Sequence, residues 1–273
     1  MGTLYVVATP IGHLGDITYR AVEVLRAVDC IACEDTRHSR ILLDHYGIHK
    51  PLVSYYRERE AERAAAILAR LTAGESVALL SDAGAPLISD PGARLVAEAA
   101  AAGVRVVPLP GASAPTAALM ASGLAADADT PVAFVGFLPA RSTARRRRLA
   151  ALGAWEGVVV LFETPHRLLA ALADMEEIWG AGRPLTVARE LTKVHEELLR
   201  GSVASARAHF AQHAPRGEFT LVAGPPPSPA AAVAPAAPLP GRKELKEWAR
   251  RHGLSRSEAF RRWQSGYTDT GGD

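Results

Sequence analysis

The sequence has few aromatic residues and lacks any long apolar run. Phe, Trp and Tyr make up 6% of the 273 residues, whereas 48% of all residues are hydrophobic. Core volume must therefore come from Val, Leu, Ile and Ala, which suits helices packed on buried strands. No stretch approaches the ~18 uninterrupted apolar residues of a membrane span. The first residues also lack the basic and apolar segments of a signal peptide, so we expect a soluble, cytoplasmic protein.

Cysteine is nearly absent as well, with two residues, Cys30 and Cys33. Their C-x-x-C spacing is compatible with a redox pair or with half of a zinc site. No second cysteine pair exists to complete a four-thiolate site. Both residues lie in an apolar run, so we interpret them as small, buried core residues.

Several common ligand-binding patterns are missing. Residues 9–18 do not form a G-x-G-x-x-G loop, and no G-x-x-x-x-G-K-[ST] loop for nucleotide phosphates is present. His195-Glu196 is followed by Leu199, where the zinc-peptidase pattern requires a second His, so zinc hydrolysis is excluded. The charges nearly balance, with 31 basic and 29 acidic residues. A nucleic-acid partner must therefore be judged from local clusters.

The first half of the chain alternates short apolar runs with longer periodic stretches. Strands are predicted over residues 4–8, 28–32, 77–80 and 104–107, and helices over 17–28, 37–46, 57–71, 91–102 and 114–120. Asp90 followed by Pro91 predicts the start of the fourth helix. Continuous apolar strands between helices indicate a parallel sheet covered on both faces. We therefore expect an α/β domain over residues 1–124.

A second α/β domain is expected over residues 125–224. Strands are predicted over residues 132–136, 158–162, 185–190, 198–203 and 219–223, and helices over 143–152, 165–179 and 205–213. Adjacent strands that can form hairpins favour a mixed sheet. The Pro/Ala tract at 225–240 predicts a semi-rigid linker, and 241–273 a basic helical tail.

Three loops in the first half follow predicted strands. Residues 9–18 read TPIGHLGDIT, 81–92 read SDAGAPLISDPG, and 108–114 read PLPGASA. Residues 81–92 are longer than a simple connection needs. Because open α/β sheets bind ligands beyond the carboxyl ends of their strands, the three loops predict one shared ligand site.

Longer stretches resemble a known family. LYVVATPIGHLGDIT, CEDTRHSRILL, SDAGAPLISDPGARLV, VVPLPGASA, VGFLPARS, FETPHRL and RELTKVHEELLRG are similar, in that order, to the ribosomal RNA small-subunit methyltransferase I family. The resemblance covers about residues 3–223 and leaves out the linker and tail. The sequence departs from the family pattern at His13, Ala85, Thr164 and residues 55–60.

The resemblance implies a tetrapyrrole-methylase fold of two α/β domains and a homodimer that needs no metal. It also implies S-adenosylmethionine as methyl donor and 2′-O-methylation of a cytidine in 16S rRNA or the small ribosomal subunit. The donor contacts that it implies are Pro10, Asp82, Gly84, Ala85, Ser113, Ala114 and Phe162.

Two charged clusters that end predicted strands, at residues 34–37 and 189–193, are candidates for the chemistry. Methyl transfer to a ribose hydroxyl requires alignment with the donor and a lowered proton affinity of the hydroxyl. We predict that Lys193 polarises the 2′-hydroxyl and that Glu190 or Asp35 accepts its proton.

Basic residues provide the argument for RNA. Four consecutive arginines at 145–148 would need acidic partners for a structural role, and the run itself contains none, so phosphate contact is the preferred interpretation. His166 and Arg167 open a predicted helix, where a phosphate can bind. The predicted RNA contacts are Arg37, Arg145, Arg146, Arg148, His166, Arg167 and Arg189.

Two other functions remain open. A tetrapyrrole or other small-molecule methylase would share the fold but would not need an exterior arginine run. A ribosome-binding module without catalysis would have a damaged donor site, whereas residues 81–92 are intact.

Overall fold

The computed structural model of the chain describes residues 1–125, 127, 129–226, 246, 249, 250, 253–255 and 258. The chain divides into two compact units, Met1–Pro227 and Ser228–Asp273. Within the described residues, no helix is long and apolar enough to cross a bilayer. Nearly all of the predicted linker and tail lie outside the described residues.

In the second unit, hydrogen bonds join Ser255 and Glu258. The Glu258 backbone N–H donates to Ser255 Oγ at 3.3 Å, and the Ser255 N–H donates to Glu258 Oε2 at 3.2 Å. This reciprocal pairing is a capping box, which favours the start of a helix.

A five-stranded parallel sheet forms the first half of the Met1–Pro227 unit. Its strands pair in the order β3-β2-β4-β1-β5, and every neighbouring pair is parallel. The strands are β1 (Thr3–Val7), β2 (Cys30–Cys33), β3 (Leu52–Ser54), β4 (Val77–Leu80) and β5 (Arg105–Leu109). The helices are α1 (Tyr19–Ala27), α2 (Thr36–His45), α3 (Glu60–Thr72), α4 (Ala93–Ala101) and α5 (Ala114–Ser122). The predicted parallel sheet is confirmed, and β3, whose three residues are only partly buried, was not predicted.

The strands of this sheet are buried on both faces. Leu79 packs into the apolar layer under α3 and α4, whereas Leu80 packs into the layer under α1 and α2. Cys30 and Cys33 follow the same alternation, since Cys30 belongs to the first layer and Cys33 to the second. Both thiols are free and buried, and burial raises the pKa of each. They are core residues, as the sequence predicted.

A mixed sheet forms the second half of the unit, in the order β6-β7-β10-β8-β9. Only the β6–β7 pair is parallel within this sheet, and the other three pairs are antiparallel. The strands are β6 (Val132–Phe137), β7 (Val158–Glu163), β8 (Pro184–Arg189), β9 (Glu197–Ser202) and β10 (Phe219–Ala223). The helices are α6 (Ser142–Gly153), α7 (Pro165–Trp179) and α8 (Val203–Gln212). The predicted mixed sheet is thus confirmed.

One apolar cluster joins the two halves. Ala118 of α5 and Ile11 from the loop after β1 pack with Val158, Val160 and Val222 of the second sheet. The other face of that sheet packs against α6, α7 and α8 in a separate core. Helix α5 therefore connects the halves by burial, and it brings the loops of the first sheet beside the second.

The start of α4 differs from the prediction. Asp90 and Pro91 do not begin this helix, which starts at Ala93 with Gly92 as its N-cap residue. Gly92 has a φ of 129°, and its N–H donates to Glu60 Oε1 at 3.0 Å. The glycine permits a turn that an L-residue rarely adopts, and this leaves Asp90 in the preceding loop.

Leu79→Ala is expected to lower the free energy of unfolding by about 2–5 kcal/mol, because it leaves a cavity in a buried strand. Leu79 is 1% exposed. The matched control is Leu169→Ala on α7, where the side chain is 40% exposed and the expected loss is about 0.5 kcal/mol or less. Equilibrium urea unfolding of both variants measures the difference, and equal losses would contradict this account of the core.

Candidate active site

The three predicted loops meet at one edge of the first sheet. Thr9 and Gly84 exchange two backbone hydrogen bonds of 2.8 and 3.0 Å, which join the loop after β1 to the loop after β4. The Thr9 hydroxyl donates to the Ser81 carbonyl at 3.1 Å. Gly111, in the loop after β5, lies so close to Ala8 that a Cβ on Gly111 would be 2.9 Å from the Ala8 Cβ. The structure therefore brings together the segments that the sequence singled out.

A cavity of about 410 Å³ opens beside these loops, and we call it the donor cavity. One wall comes from the 81–92 loop and the start of α5, and the opposite wall comes from β6, β7, β8 and β10 of the second sheet. Its volume is that of a site for a small molecule or cofactor. Six of the seven predicted donor contacts line it, namely Asp82, Gly84, Ala85, Ser113, Ala114 and Phe162.

A second cavity, of about 530 Å³, adjoins the first, and we call it the adjoining cavity. Pro10, the seventh predicted donor contact, lines it together with His38 and Lys193. The two cavities share a wall whose residues are Ile11, Asp82, Ala83 and Glu218. A group bound in one cavity is therefore next to a group bound in the other.

The donor cavity has an acidic wall. Glu34, Asp82 and Asp90 all line it, on loops that follow β2 and β4. Burial, with the nearby Glu34 and Asp82 carboxylates, raises the pKa of Asp90 to about 6. From the sequence, Asp90 was expected to cap a helix, and Glu34 belonged to a candidate charged cluster without a role of its own, because proximity between separate loops is not visible in a linear pattern.

Residues 55–60, which lead into the first residue of α3, hold the 81–92 loop from outside. Arg57 Nη2 donates to the Ser89 carbonyl at 3.0 Å, and Glu60 Oε1 accepts from the Gly92 N–H and from the Tyr55 hydroxyl. Ser89 itself has a φ of 71°, and a left-handed conformation at a non-glycine residue persists only where neighbours enforce it. This segment, one of the departures from the family pattern, therefore fixes the loop that lines the donor cavity.

Lys193 occupies a defined position in the adjoining cavity. Its Nζ lies 3.0 Å from Glu190 Oε1 and 2.8 Å from Glu218 Oε2. Burial opposes the charge, but the hydrogen bonds with Glu218 and Glu190 raise the pKa of Lys193 above its usual value. A Cβ at Gly12 would be 2.5 Å from Lys193 Cγ, so the glycine lets the lysine loop approach the loop after β1.

Glu190 and Asp35, the two predicted proton acceptors, line neither cavity. Glu190 accepts hydrogen bonds from Lys193 and from the Glu218 N–H. Burial acts to raise the pKa of Glu190, but these contacts bring it below its usual value. Asp35 is the N-cap of α2, and its hydrogen bonds with Arg37 lower its pKa to about 2. Both carboxylates are thus weak bases with structural partners, whereas Glu218, which the sequence reasoning missed, lines both cavities.

The predicted phosphate contacts of the arginine run require a correction. Arg145 is buried, with a side chain that is 5% exposed, and it pairs with Asp174 of α7 at 2.6 Å. Arg146 pairs with Glu177 of the same helix. The run does have acidic partners, and they come from a neighbouring helix. Arg145 is therefore a structural residue and not a phosphate contact, while Arg148 is exposed.

Arg167 and Arg189 are also held by other residues. Arg167 pairs with the buried Glu163 at 3.4 Å and donates to the Leu138 carbonyl, which fixes the loop after β6. Arg189 donates to the Arg216 carbonyl at 2.7 Å and pairs with Glu197. Both side chains are less than one third exposed. The exposed members of the predicted RNA set are Arg37, Arg148 and His166.

Comparisons with known proteins agree with this geometry. The family model described as Tetrapyrrole (Corrin/Porphyrin) Methylases matches residues 3–207. The chain is 48% identical over 222 residues to the ribosomal RNA small subunit methyltransferase I of Synechocystis sp., covering 81% of this chain and 78% of that protein. It is 45% identical over 268 residues to the protein of the same name from Mesorhizobium japonicum, covering 95% of this chain and 90% of that protein.

The second of these matches corrects one expectation. Residues 1–223 make up 82% of the 273 residues, whereas this match covers 95% of the chain. The likeness therefore extends beyond residue 223, into the region that we expected to fall outside it.

A solved structure of the same fold has been determined with a ligand. It is uroporphyrin-III C-methyl transferase from Thermus thermophilus, complexed with S-adenyl homocysteine. The TM-score is 0.60 at 18% sequence identity, and the match covers 82% of this chain and 97% of that chain. At this identity the likeness shows the fold.

Arg145→Ala is expected to lower the free energy of unfolding by about 3–5 kcal/mol, because it leaves the Asp174 carboxylate buried without its partner. Arg148→Ala, on the exposed face of the same helix, is expected to cost about 0.5 kcal/mol or less. Equilibrium denaturation of the two variants measures the contrast. Similar small losses for both would restore Arg145 as a surface residue available to phosphate.

Proposed function

We propose that this chain methylates the 2′-oxygen of a cytidine ribose in 16S rRNA, with S-adenosylmethionine as donor. The reason is that the chain belongs to the ribosomal RNA small subunit methyltransferase I family within the tetrapyrrole methylases. The observation that carries the proposal is the donor cavity, because six residues implied by the family resemblance line it. The tetrapyrrole-methylase family match over residues 3–207 supports methyl transfer, and the names of the relatives at 45–48% identity support the rRNA substrate.

The residues of the donor cavity fit this donor. Ile11, Ile88, Phe137 and Phe162 offer apolar surface for an adenosine moiety. Asp82 and the neighbouring carboxylates offer the negative charge that a cationic donor requires. Gly84, with a φ of 79°, gives backbone groups close access to the cavity. The residues present therefore suit S-adenosylmethionine in size, polarity and charge.

The adjoining cavity is the proposed entrance for the ribose. When bound, the donor supplies a methyl group on an electrophilic sulfonium. Its neighbour across the shared wall would be a hydroxyl held near Lys193, which favours transfer by proximity and alignment. The Lys193 ammonium lowers the proton affinity of the hydroxyl. Glu218 lines both cavities, so it is the carboxylate that we assign to take the proton of the 2′-hydroxyl; the ribose oxygen would gain the methyl group as its bond to sulfur breaks, leaving a neutral thioether.

The exposed arginines support an RNA substrate. Arg147 and Arg148 are exposed on α6, and Arg37 is exposed in the first turn of α2, beside His38, which lines the adjoining cavity. Phosphate contacts of this kind position a nucleic acid without reading its bases. They belong to the proposal as the surface that orients the small-subunit rRNA.

We also propose two domains, residues 1–124 and 125–224, and a cytoplasmic homodimer. Each half has its own sheet and its own apolar core, which supports the division.

Val132 and Phe134 are exposed on the edge strand β6, and an exposed apolar edge favours contact with a second copy. Light scattering after gel filtration measures the mass in solution, and a monomer at micromolar concentration would contradict the dimer.

Transfer of tritium from methyl-labelled S-adenosylmethionine tests the main proposal. The acceptors are naked 16S rRNA, assembled small subunits and a porphyrinogen, and Asp82→Asn serves as the impaired control. Label is expected in rRNA, in naked or assembled form, at a position that resists alkaline cleavage because its 2′-oxygen is methylated. Label only in the porphyrinogen would indicate a small-molecule methylase, and RNA binding without label would indicate a non-catalytic module.

Lys193→Ala is expected to lower the single-turnover rate by about 100-fold, since a positioned group that assists proton transfer typically contributes ~10²–10⁴-fold. Glu190→Gln is expected to give a smaller loss, because it loosens Lys193 without removing its charge. The control is Lys50→Ala, a lysine that lines neither cavity. Full rates for both the Lys193 and the Glu190 variants would exclude this catalytic role.

A further inference from the structure

Asp90 has an unusual position for an acidic residue. It lies in the loop before α4 and lines the donor cavity together with Asp82 and Glu34. Within the described part of the chain, no hydrogen bond to its carboxyl group is found. The Asp90 carboxyl group is partly buried and lies near other carboxylates. As a helix cap it would instead have accepted hydrogen bonds from backbone N–H groups.

The charged groups around Asp90 come from three segments. Glu34 follows β2, Asp82 follows β4, and Arg57 precedes α3. Three carboxylates thus face one cation, and Arg57 also donates to the carbonyl of Ser89, the residue before Asp90. The local balance is negative, so a cation that enters the donor cavity relieves repulsion among the carboxylates.

We propose that Asp90 is a specificity-determining residue that makes the donor cavity bind the positively charged methyl donor more tightly than the neutral thioether that remains after transfer. The inference rests on the proposed function. Donor and product share the adenosine and amino-acid groups, and they differ in the methyl group and in the positive charge on sulfur. The difference between their affinities therefore reports how strongly the cavity responds to that charge.

The physical basis is a charge interaction in a partly buried site. Such interactions are several times stronger than in bulk water, because the effective dielectric constant near a protein surface is about 20. The proposal places the sulfonium beside Asp90, and loss of this carboxylate is then expected to weaken donor binding by about tenfold. Product binding changes little, because a thioether has no charge for the carboxylate to attract. Weaker product binding relative to donor favours release after each turnover.

The same arrangement makes donor binding depend on pH. The pKa of Asp90 is about 6, raised by burial and by Glu34 and Asp82. Above that pH the carboxylate is ionised and attracts the cation, and below it the group is neutral. Donor affinity is therefore expected to fall as the pH drops from 7.5 to 5, while product affinity falls less. Arg57 lowers the pKa of Asp90, so Arg57→Gln is expected to move the midpoint of this change to higher pH.

Isothermal titration calorimetry on the full chain tests the proposal with three ligands. These are S-adenosylmethionine, S-adenosylhomocysteine and sinefungin, an analogue with an amine in place of the sulfonium. Asp90→Asn is expected to weaken the two charged ligands by about tenfold and the neutral one by less than about twofold. Asp129→Asn, an exposed aspartate away from both cavities, serves as control and is expected to leave all three affinities unchanged.

The outcomes separate this inference from the proposed function. Equal weakening of all three ligands would indicate a steric role for Asp90 and overturn the proposal, as would unchanged affinities. Should Asp90→Asn fail to fold, the pH dependence of the unmodified chain and of Arg57→Gln decides, and a donor-to-product affinity ratio that is flat from pH 5 to 7.5 overturns it. Failure of the unmodified chain to bind S-adenosylmethionine would instead refute the proposed function.

Discussion

The arrangement of the site depends on apolar packing between the two sheets. Ala118 of α5 and Ile11 are buried against Val158, Val160 and Val222, and this contact sets the loop ends of the parallel sheet beside β6, β7 and β10. Neither sheet alone encloses a volume suited to a small molecule. Because close-packed apolar surfaces tolerate little displacement, the width of the donor cavity follows from this one interface. Ile11 also lines both cavities, so the same residue links the core to the site.

Most of the donor side of the site could be predicted from the sequence. In a parallel sheet, all strands end at the same edge, so loops that follow different strands converge there. Residues 9–18 and 81–92 were recognised on this basis, and the two backbone hydrogen bonds between Thr9 and Gly84 show how closely they meet. The family resemblance then implied a donor contact on the second sheet, Phe162, which no local pattern would have selected and which lines the donor cavity.

The rest could not be predicted, because it depends on partners that are distant in sequence. Arg145 belongs to a basic run, and its burial is explained only by Asp174, which lies 29 residues away on another helix. Asp90 followed by Pro91 has the local pattern of a helix start, yet Glu60 of α3 binds the Gly92 N–H and the helix begins at Ala93. In both cases a residue has two compatible local interpretations, and a tertiary contact selects one of them.

The distribution of charge is compatible with the proposed RNA substrate, although the donor cavity is acidic. Carboxylates such as Asp82 and Asp90 line the donor cavity, and they repel phosphate groups as strongly as they attract a cation. Lys193 adds a positive charge to the adjoining cavity. Its hydrogen bonds with the Glu190 and Glu218 carboxylates keep this part of the site from becoming strongly positive. Phosphates are therefore expected to remain on the outer surface, near Arg148, while a ribose, which carries no charge of its own, enters the adjoining cavity. On this account, charge separates the backbone of the RNA from the reacting sugar before any base is recognised.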